Sequence, residues 1–206
     1  MIIYGVAETF KSWLVTDMAF CLTLGRKWLG FDAKRCKVMV IQTEQTELNY
    51  AARLADFIKA HNISPKDVAD NMLLINEPVK LDTTQGQLFI EEEVKQFIPD
   101  VIIIDDLWKS ILSETDYLSL KRYIDFLSML QQDYGVAGVT VHHSRKEDRF
   151  SKDGNHGMDE LAGYAILNRS LDTLLRVEHL DKDRDKFLVR LRWQKTKNVK
   201  GELGDF

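Results

Sequence analysis

The stretch Gly5-Val6-Ala7-Glu8-Thr9-Phe10-Lys11-Ser12 follows directly on the short apolar run Met1–Tyr4 and opens into Trp13-Leu14, where an apolar-periodic segment begins. An apolar strand, a glycine-opened turn, Lys-Ser and then a helix is the layout of a phosphate-binding P-loop, G-x-x-x-x-G-K-[ST]. The mechanics are general: successive backbone N–H groups and a helix N-terminus converge on an anion. On this reading Gly5, Val6, Ala7, Glu8, Thr9, Phe10, Lys11, Ser12 and Trp13 form a nucleotide-binding segment. Lys11 reaches the outer phosphates, and the Ser12 hydroxyl is placed to ligate Mg2+, a cation that prefers oxygen.

The motif departs from the pattern twice. Phe10 stands where a glycine precedes the lysine, and Glu8 stands where many P-loops carry another. Phe10 fits if its position needs no positive φ, because only then does a side chain cost little, and that is the expectation. A carboxylate at Glu8 is repelled by a triphosphate unless it turns outward or meets a cation. Taken alone, the eight residues read equally well as an ordinary strand-to-helix turn, so the rest of the chain decides.

Working outward, Ser12–Leu24 carries apolar residues at helical spacing, and Gly25 suits its C-terminal cap. Trp28 and Phe31, in the loop 26–36, are read as cover for the core. Lys37–Thr43 is a β-rich run that delivers Glu44 at its end. Thr46 resembles the N-cap of a helix through His61, with Leu48, Ala51, Leu54, Phe57 and Ile58 as its buried face. Pro65 opens a short helix, Asn71–Ile75 is a third strand, and Thr83 or Thr84 opens a helix to about Phe97. Val101–Ile104 is the most apolar strand and runs into Asp105-Asp106. A long amphipathic helix, Glu114–Tyr134, ends at Gly135, and strand Val136–Val141 stops at His142-His143-Ser144. After a polar loop (145–158) and a short helix (159–168), Leu171–His179 and Lys186–Trp193 read as antiparallel strands about the turn 181–185.

Strands alternating with helices up to residue 141, then a hairpin, define an α/β class: a three-layer α/β/α sandwich on a mainly parallel sheet with a C-terminal antiparallel hairpin. A chain of 206 residues suits one such domain over 1–206. The motif starts within five residues of the beginning, and Lys200–Phe206 has no finished terminal element, as expected of a piece of a longer protein lacking its N-terminal flank. A net charge of -4 argues against gripping nucleic acid with the whole surface, so any such contact falls to a local basic loop. Cys21 and Cys36 lack metal or redox spacing and read as reduced thiols. No run reaches membrane-spanning length, and the expectation is a cytoplasmic protein with no membrane partner.

Ligands of parallel α/β sheets bind beyond the carboxyl ends of the strands. Four of those ends carry polar residues: Lys11 and Ser12, Glu44, Asp105 with Asp106, and His142-His143-Ser144. An acidic residue after a four-residue apolar strand suits Mg2+ binding, directly or through water; a helix cap is its plainer alternative.

With these residues in place the chain resembles the RecA-like P-loop ATPases, the group of RecA and RadA recombinases and hexameric replicative helicases. Within it, the chain is most similar to plasmid- and phage-type ATPases related to the helicase RepA. The resemblance rests on GVAETFKSWL, QTE at 42–44, VIIIDD at 101–106, HHSRK at 142–146 and LRWQKTKN at 191–198. It implies an ATPase using ATP and Mg2+ in DNA replication, recombination or repair. Ser12, Asp105 and Asp106 would hold the metal. Glu44 would activate the attacking water, or else cap the following helix. Lys11 and His143 would complete the catalytic set, His143 sensing the γ-phosphate, with burial at a strand end as the alternative for the histidine pair. The loop with Arg145, Lys146, Arg149, Phe150 and Lys152 would touch DNA, single strands favoured, or be a plain solvated loop. Lys195 and Lys197 would act in trans on a neighbour's nucleotide in a ring or filament of identical subunits, unless they are simply solvated. Two rivals stay open: a P-loop small-molecule kinase, and a non-catalytic RecA-like binding or assembly module.

Overall fold

The computed structural model describes residues 1–144, 167, 170–179 and 188–197. Its strands are β1 (Ile2–Gly5), β2 (Val38–Gln42), β3 (Met72–Ile75), β4 (Val101–Asp105), β5 (Ala137–His143), β6 (Thr173–His179) and β7 (Val189–Thr196). The helices are α1 (Lys11–Leu24), α2 (Glu47–Ala60), α3 (Pro65–Ala69), α4 (Thr84–Phe97), α5 (Leu107–Ser110) and α6 (Tyr117–Tyr134). One sheet joins all seven strands in the order β3-β2-β4-β5-β1-β6-β7. The pairs from β3 through to β6 are parallel, and β7 pairs antiparallel with β6 at the edge.

Strand side chains alternate between two cores, as the two-residue period requires. Ile2, Tyr4, Met39, Ile41, Ile102 and Ile104 pack with Ile90 and Val94 of α4 and with Leu120, Tyr123 and Phe126 of α6. Ile3, Val38, Val40, Ile103, Val139 and Val141 pack with Val15, Met18 and Ala19 of α1 and Tyr50 of α2. Each Ile or Val removed from water in this way contributes about 1.5–3 kcal/mol. The three-layer, mainly parallel architecture with a terminal antiparallel pair is therefore as expected.

Local signals act largely where they were read. Gly25 and Gly135 end α1 and α6 with φ of 67° and 72°, and the Thr83 side chain caps α4 through the Gly86 N–H. Four details differ. The buried face of α2 is Tyr50 and Phe57, whereas Leu48 is 83% exposed and Ala51 is also exposed. Phe57 stacks on Phe20 of α1 at 5.2 Å, and this neighbour sets the inward stripe. Helix α6 starts at Tyr117 because Asp116 caps it through the Ser119 N–H. A short helix, α5, follows β4 with Asp106 as its cap. Strand β7 continues to Thr196, so Lys195 lies within it. The expected loop 145–158, most of the helix 159–168 and the turn 181–185 lie outside the described residues.

Candidate functional site

β1 runs into the turn at Gly5, where an added Cβ would meet the Val177 carbonyl oxygen at 2.2 Å, so only glycine fits. The Thr9 hydroxyl donates to the Val6 carbonyl at 2.9 Å, folding the loop back on itself. Lys11 opens α1 and is only 3% exposed; its Nζ donates to Val6 O at 2.6 Å and to Thr9 Oγ1 at 3.2 Å. Burial pushes the Lys11 ammonium down to about 8, against the pull of the carboxylates of Asp105, Glu44 and Asp106. No side chain caps the start of α1, a helix end suited to an anion.

The expectation for Phe10 is overturned. Phe10 lies in the left-handed region at φ 61°, ψ 19°, and Glu8 joins it at φ 66°. The loop keeps the backbone of a glycine-rich turn without the glycines, at a cost of about 1–2 kcal/mol for each such residue. Glu8 is exposed, and its carbonyl lies 3.0 Å from His179 Nε2.

Across the cavity stand the strand-end carboxylates. Ser12 Oγ donates to Asp105 Oδ1 at 3.1 Å, while Asp105 Oδ2 is buried without a hydrogen-bond partner. Burial first, then the charges of Glu44 and Asp106, raise the Asp105 carboxyl to about 6; the Ser12 hydroxyl and Arg53 oppose this. An orphaned buried carboxylate oxygen beside a serine hydroxyl is an oxygen donor set that fits Mg2+.

Asp106, joined to Asp105 by a cis peptide, is engaged within the protein. Its Oδ1 accepts from Lys109 N at 3.0 Å, and its Oδ2 lies 3.2 Å from His143 Nε2. The same nitrogen is 3.9 Å from Glu44 Oε1, and ligand atoms of Glu44, Asp106 and His143 lie within 4.8 Å of one another. Thr46, not Glu44, caps α2, accepting from Asn49 N at 3.4 Å, which removes the capping alternative for Glu44. The two histidines divide: His142 is fully buried opposite Tyr4 of β1, and His143 lines the cavity.

The cavity measures about 390 Å3 and brings Lys11, Ser12, Trp13, Glu44 and His143 together. Three lining residues escaped the sequence reading: Gln45, Arg53 and His179. Arg53 lies over the Trp13 ring at 4.8 Å, and Trp13 stacks on Phe57 at 6.1 Å. His179 was discoverable, because it is the carboxyl end of a parallel strand, as the other site residues are.

Lys195 and Lys197 are not brought to this cavity. β7 runs antiparallel, so Lys195 pairs with Leu174, itself opposite Ile2 at the start of β1. Lys197 Nζ lies 3.4 Å from Asp172 Oδ1 at that far end of the sheet. Arg145, Lys146, Arg149, Phe150 and Lys152 lie outside the described residues. Among the described residues, no helix is long and apolar enough to cross a membrane.

Among solved structures, the fold is similar to the crystal structure of the RadB recombinase, with a TM-score of 0.64 over 98% of this chain and 83% of that chain at 15% identity. At that identity the likeness is one of fold. No curated protein matches the sequence. The family described as AAA domain, AAA_25, matches residues 1–149, most of the 206. The chain therefore belongs to the AAA_25 family of AAA domains and is built as a RecA-like P-loop ATPase.

Proposed function

We propose that the chain binds ATP with Mg2+ in this cavity and hydrolyses it, as a helicase- or recombinase-type motor domain in DNA replication, recombination or repair. One observation carries the reading: Lys11, Ser12, Glu44 and His143 come from three separate strand ends to one cavity, with Asp105 of a fourth bonded behind Ser12.

The geometry supports a role for each residue. The uncapped start of α1 and the loop N–H groups hold phosphate oxygens, and Lys11 exchanges its two loop acceptors for them. Ser12 Oγ and Asp105 Oδ2 offer oxygens to Mg2+, and Asp106 stands beside them. The bound ion would neutralise charge on the phosphates. Glu44 orients a water and takes its proton; the water oxygen bonds to the γ-phosphorus as the bond to the bridging oxygen breaks, leaving ADP and phosphate. His143 Nε2, which now lies 3.2 Å from Asp106 Oδ2, would turn from that carboxylate to donate to the γ-phosphate.

The residues 145–152 would carry the contact with single-stranded DNA. Lys195 and Lys197 sit at the opposite end of the sheet from their own cavity, a placement that leaves them to a neighbour's site or simply to solvent. β7 is an edge strand, and a head-to-tail assembly through it builds a ring or filament.

A second reading has its own support. With Lys11 drawn onto Val6 and Thr9, and two non-glycine residues left-handed, the loop also suits a non-catalytic nucleotide-binding module. Phosphate release with and without single-stranded DNA, at several protein concentrations, separates the two. The motor reading expects release that DNA stimulates and that rises per subunit with concentration. Mg–ATP binding without release under any condition selects the module. Release requiring a small-molecule acceptor and indifferent to DNA selects a kinase.

A further inference from the structure

Glu8 and Phe10, the two P-loop residues at positive φ, are met by one side chain. His179, the last residue of β6, places Nε2 3.0 Å from the Glu8 carbonyl oxygen. Its ring meets the Phe10 ring edge-on, with centroids 6.2 Å apart and planes at 77°. A carbonyl oxygen only accepts, so Nε2 carries the proton and donates. The placement is built into the sheet. β6 pairs with β1 through Ile2, Ile3 and Tyr4, and the Val177 carbonyl lies so close to Gly5 that a Cβ there would clash.

We propose that His179 clamps the P-loop, holding Glu8 and Phe10 in the left-handed backbone that the motif elsewhere obtains from glycines. The proposal rests on the nucleotide reading above. Residues with a side chain favour the right-handed and extended regions, so an unsupported loop leaves the left-handed state for part of the time. A loop competent only for a fraction of the time binds its ligand more weakly by that fraction. The bond to the Glu8 carbonyl acts on the backbone itself, and the ring contact fixes the neighbouring side chain. His179 acts through the loop, which makes it a positioning residue.

The test is a double-mutant cycle on the whole chain: parent, His179→Ala, Glu8→Gly and the two together, each measured for Mg–ATP affinity by calorimetry and for unfolding midpoint. Glu8→Gly leaves the carbonyl acceptor in place and removes the left-handed penalty. In the parent, His179→Ala should weaken affinity about fivefold and lower the midpoint by about 2–4 °C, the scale of one hydrogen bond in a chain of this size. In the Glu8→Gly background both losses should shrink to about half or less, the coupling expected of groups acting on one backbone. His179→Gln, which keeps an amide donor, should regain part of the lost affinity. Equal losses in both backgrounds, or none in the parent, overturn the clamp. A parent that does not bind Mg–ATP removes the nucleotide reading instead. The four midpoints still decide the clamp in that case, since coupling supports it and additivity overturns it.

Discussion

The two walls of the cavity are held in place by different means. The carboxylate wall stands on β2, β4 and β5, with Glu44 and His143 lining the cavity and Asp105 and Asp106 buried behind them. The P-loop wall follows β1 and leans on β6, and its form depends on backbone angles at Glu8 and Phe10. On the first wall the side chain is the functional unit, and on the second it is the main chain. Substitutions on the two walls should therefore fail in different ways.

The largest effect belongs to the carboxylate wall. Glu44→Gln keeps size and polarity but cannot take a proton, so turnover should fall by about two orders of magnitude or more while Mg–ATP affinity stays. Steady-state phosphate release and a binding titration on the same samples separate the two terms, and equal rates in mutant and parent would remove Glu44 from the mechanism.

Next is Asp105. Its carboxyl is raised from 3.8 to about 6, first by burial and then by Glu44 and Asp106. An acid whose folded pKa lies above its unfolded value disfavours the folded state once ionised. The associated stability is thus full below about pH 4 and lost as the pH rises to about 6, a difference on the order of 3 kcal/mol. Asp105→Asn should flatten that part of the stability profile and raise the unfolding midpoint at pH 7.5, in the absence of nucleotide and Mg2+, by roughly 5 °C or more. A midpoint that falls would mean that the carboxylate is stabilised by partners the geometry does not provide.

On the other wall, Lys11→Ala removes a charged donor to the phosphates, and Mg–ATP affinity should drop by roughly ten- to a hundredfold. The Glu44 and Lys11 variants together sharpen the contrast, since one loses rate at constant affinity and the other loses affinity. A titration in which Lys11→Ala binds as well as the parent would break the P-loop assignment.

The same contrast explains what could be read from the sequence. Lys11, Ser12, Glu44, Asp105 and His143 were legible because residue type and position after an apolar strand suffice to place a side chain at a strand end. The sheet was legible for a related reason: runs such as Val101–Ile104 are too apolar to lie anywhere but the centre. Phe10 was misjudged because φ is set by how the turn closes between β1 and α1, and no property of phenylalanine reports it. His179 was missed because its role depends on β6 lying beside β1, a pairing between residues far apart in the chain. Leu48 was assigned inward because the spacing of apolar residues finds a stripe but not the neighbour it faces; Phe20 and Trp13 stack on Phe57, and the inward side of α2 is the one with Tyr50 and Phe57. The bonding of Asp106 to His143 needed the register of β4 against β5 as well.

The smallest expected effect tests the backbone account most directly. Phe10→Ala removes a half-buried ring but keeps a Cβ in the left-handed region, whereas Phe10→Gly removes the ring and the penalty together. Both lose the same contact with His179, so their difference reads the main chain alone. The left-handed penalty of about 1–2 kcal/mol, less the roughly 0.4–1 kcal/mol of entropy glycine adds to the unfolded chain, should leave the glycine variant more stable than the alanine variant by up to about 1 kcal/mol, a midpoint difference of up to about 2–4 °C. On the carboxylate wall the order should invert. Val141 lies inside β5, fully extended and buried, where glycine is worse than alanine by about 0.5–1 kcal/mol. Thermal unfolding of Phe10→Ala, Phe10→Gly, Val141→Ala and Val141→Gly therefore predicts two differences of opposite sign. If alanine is the more stable choice at both positions, the left-handed conformation of Phe10 costs less than the entropy glycine adds to the unfolded chain, and Glu8 is then the one residue left for the clamp to hold.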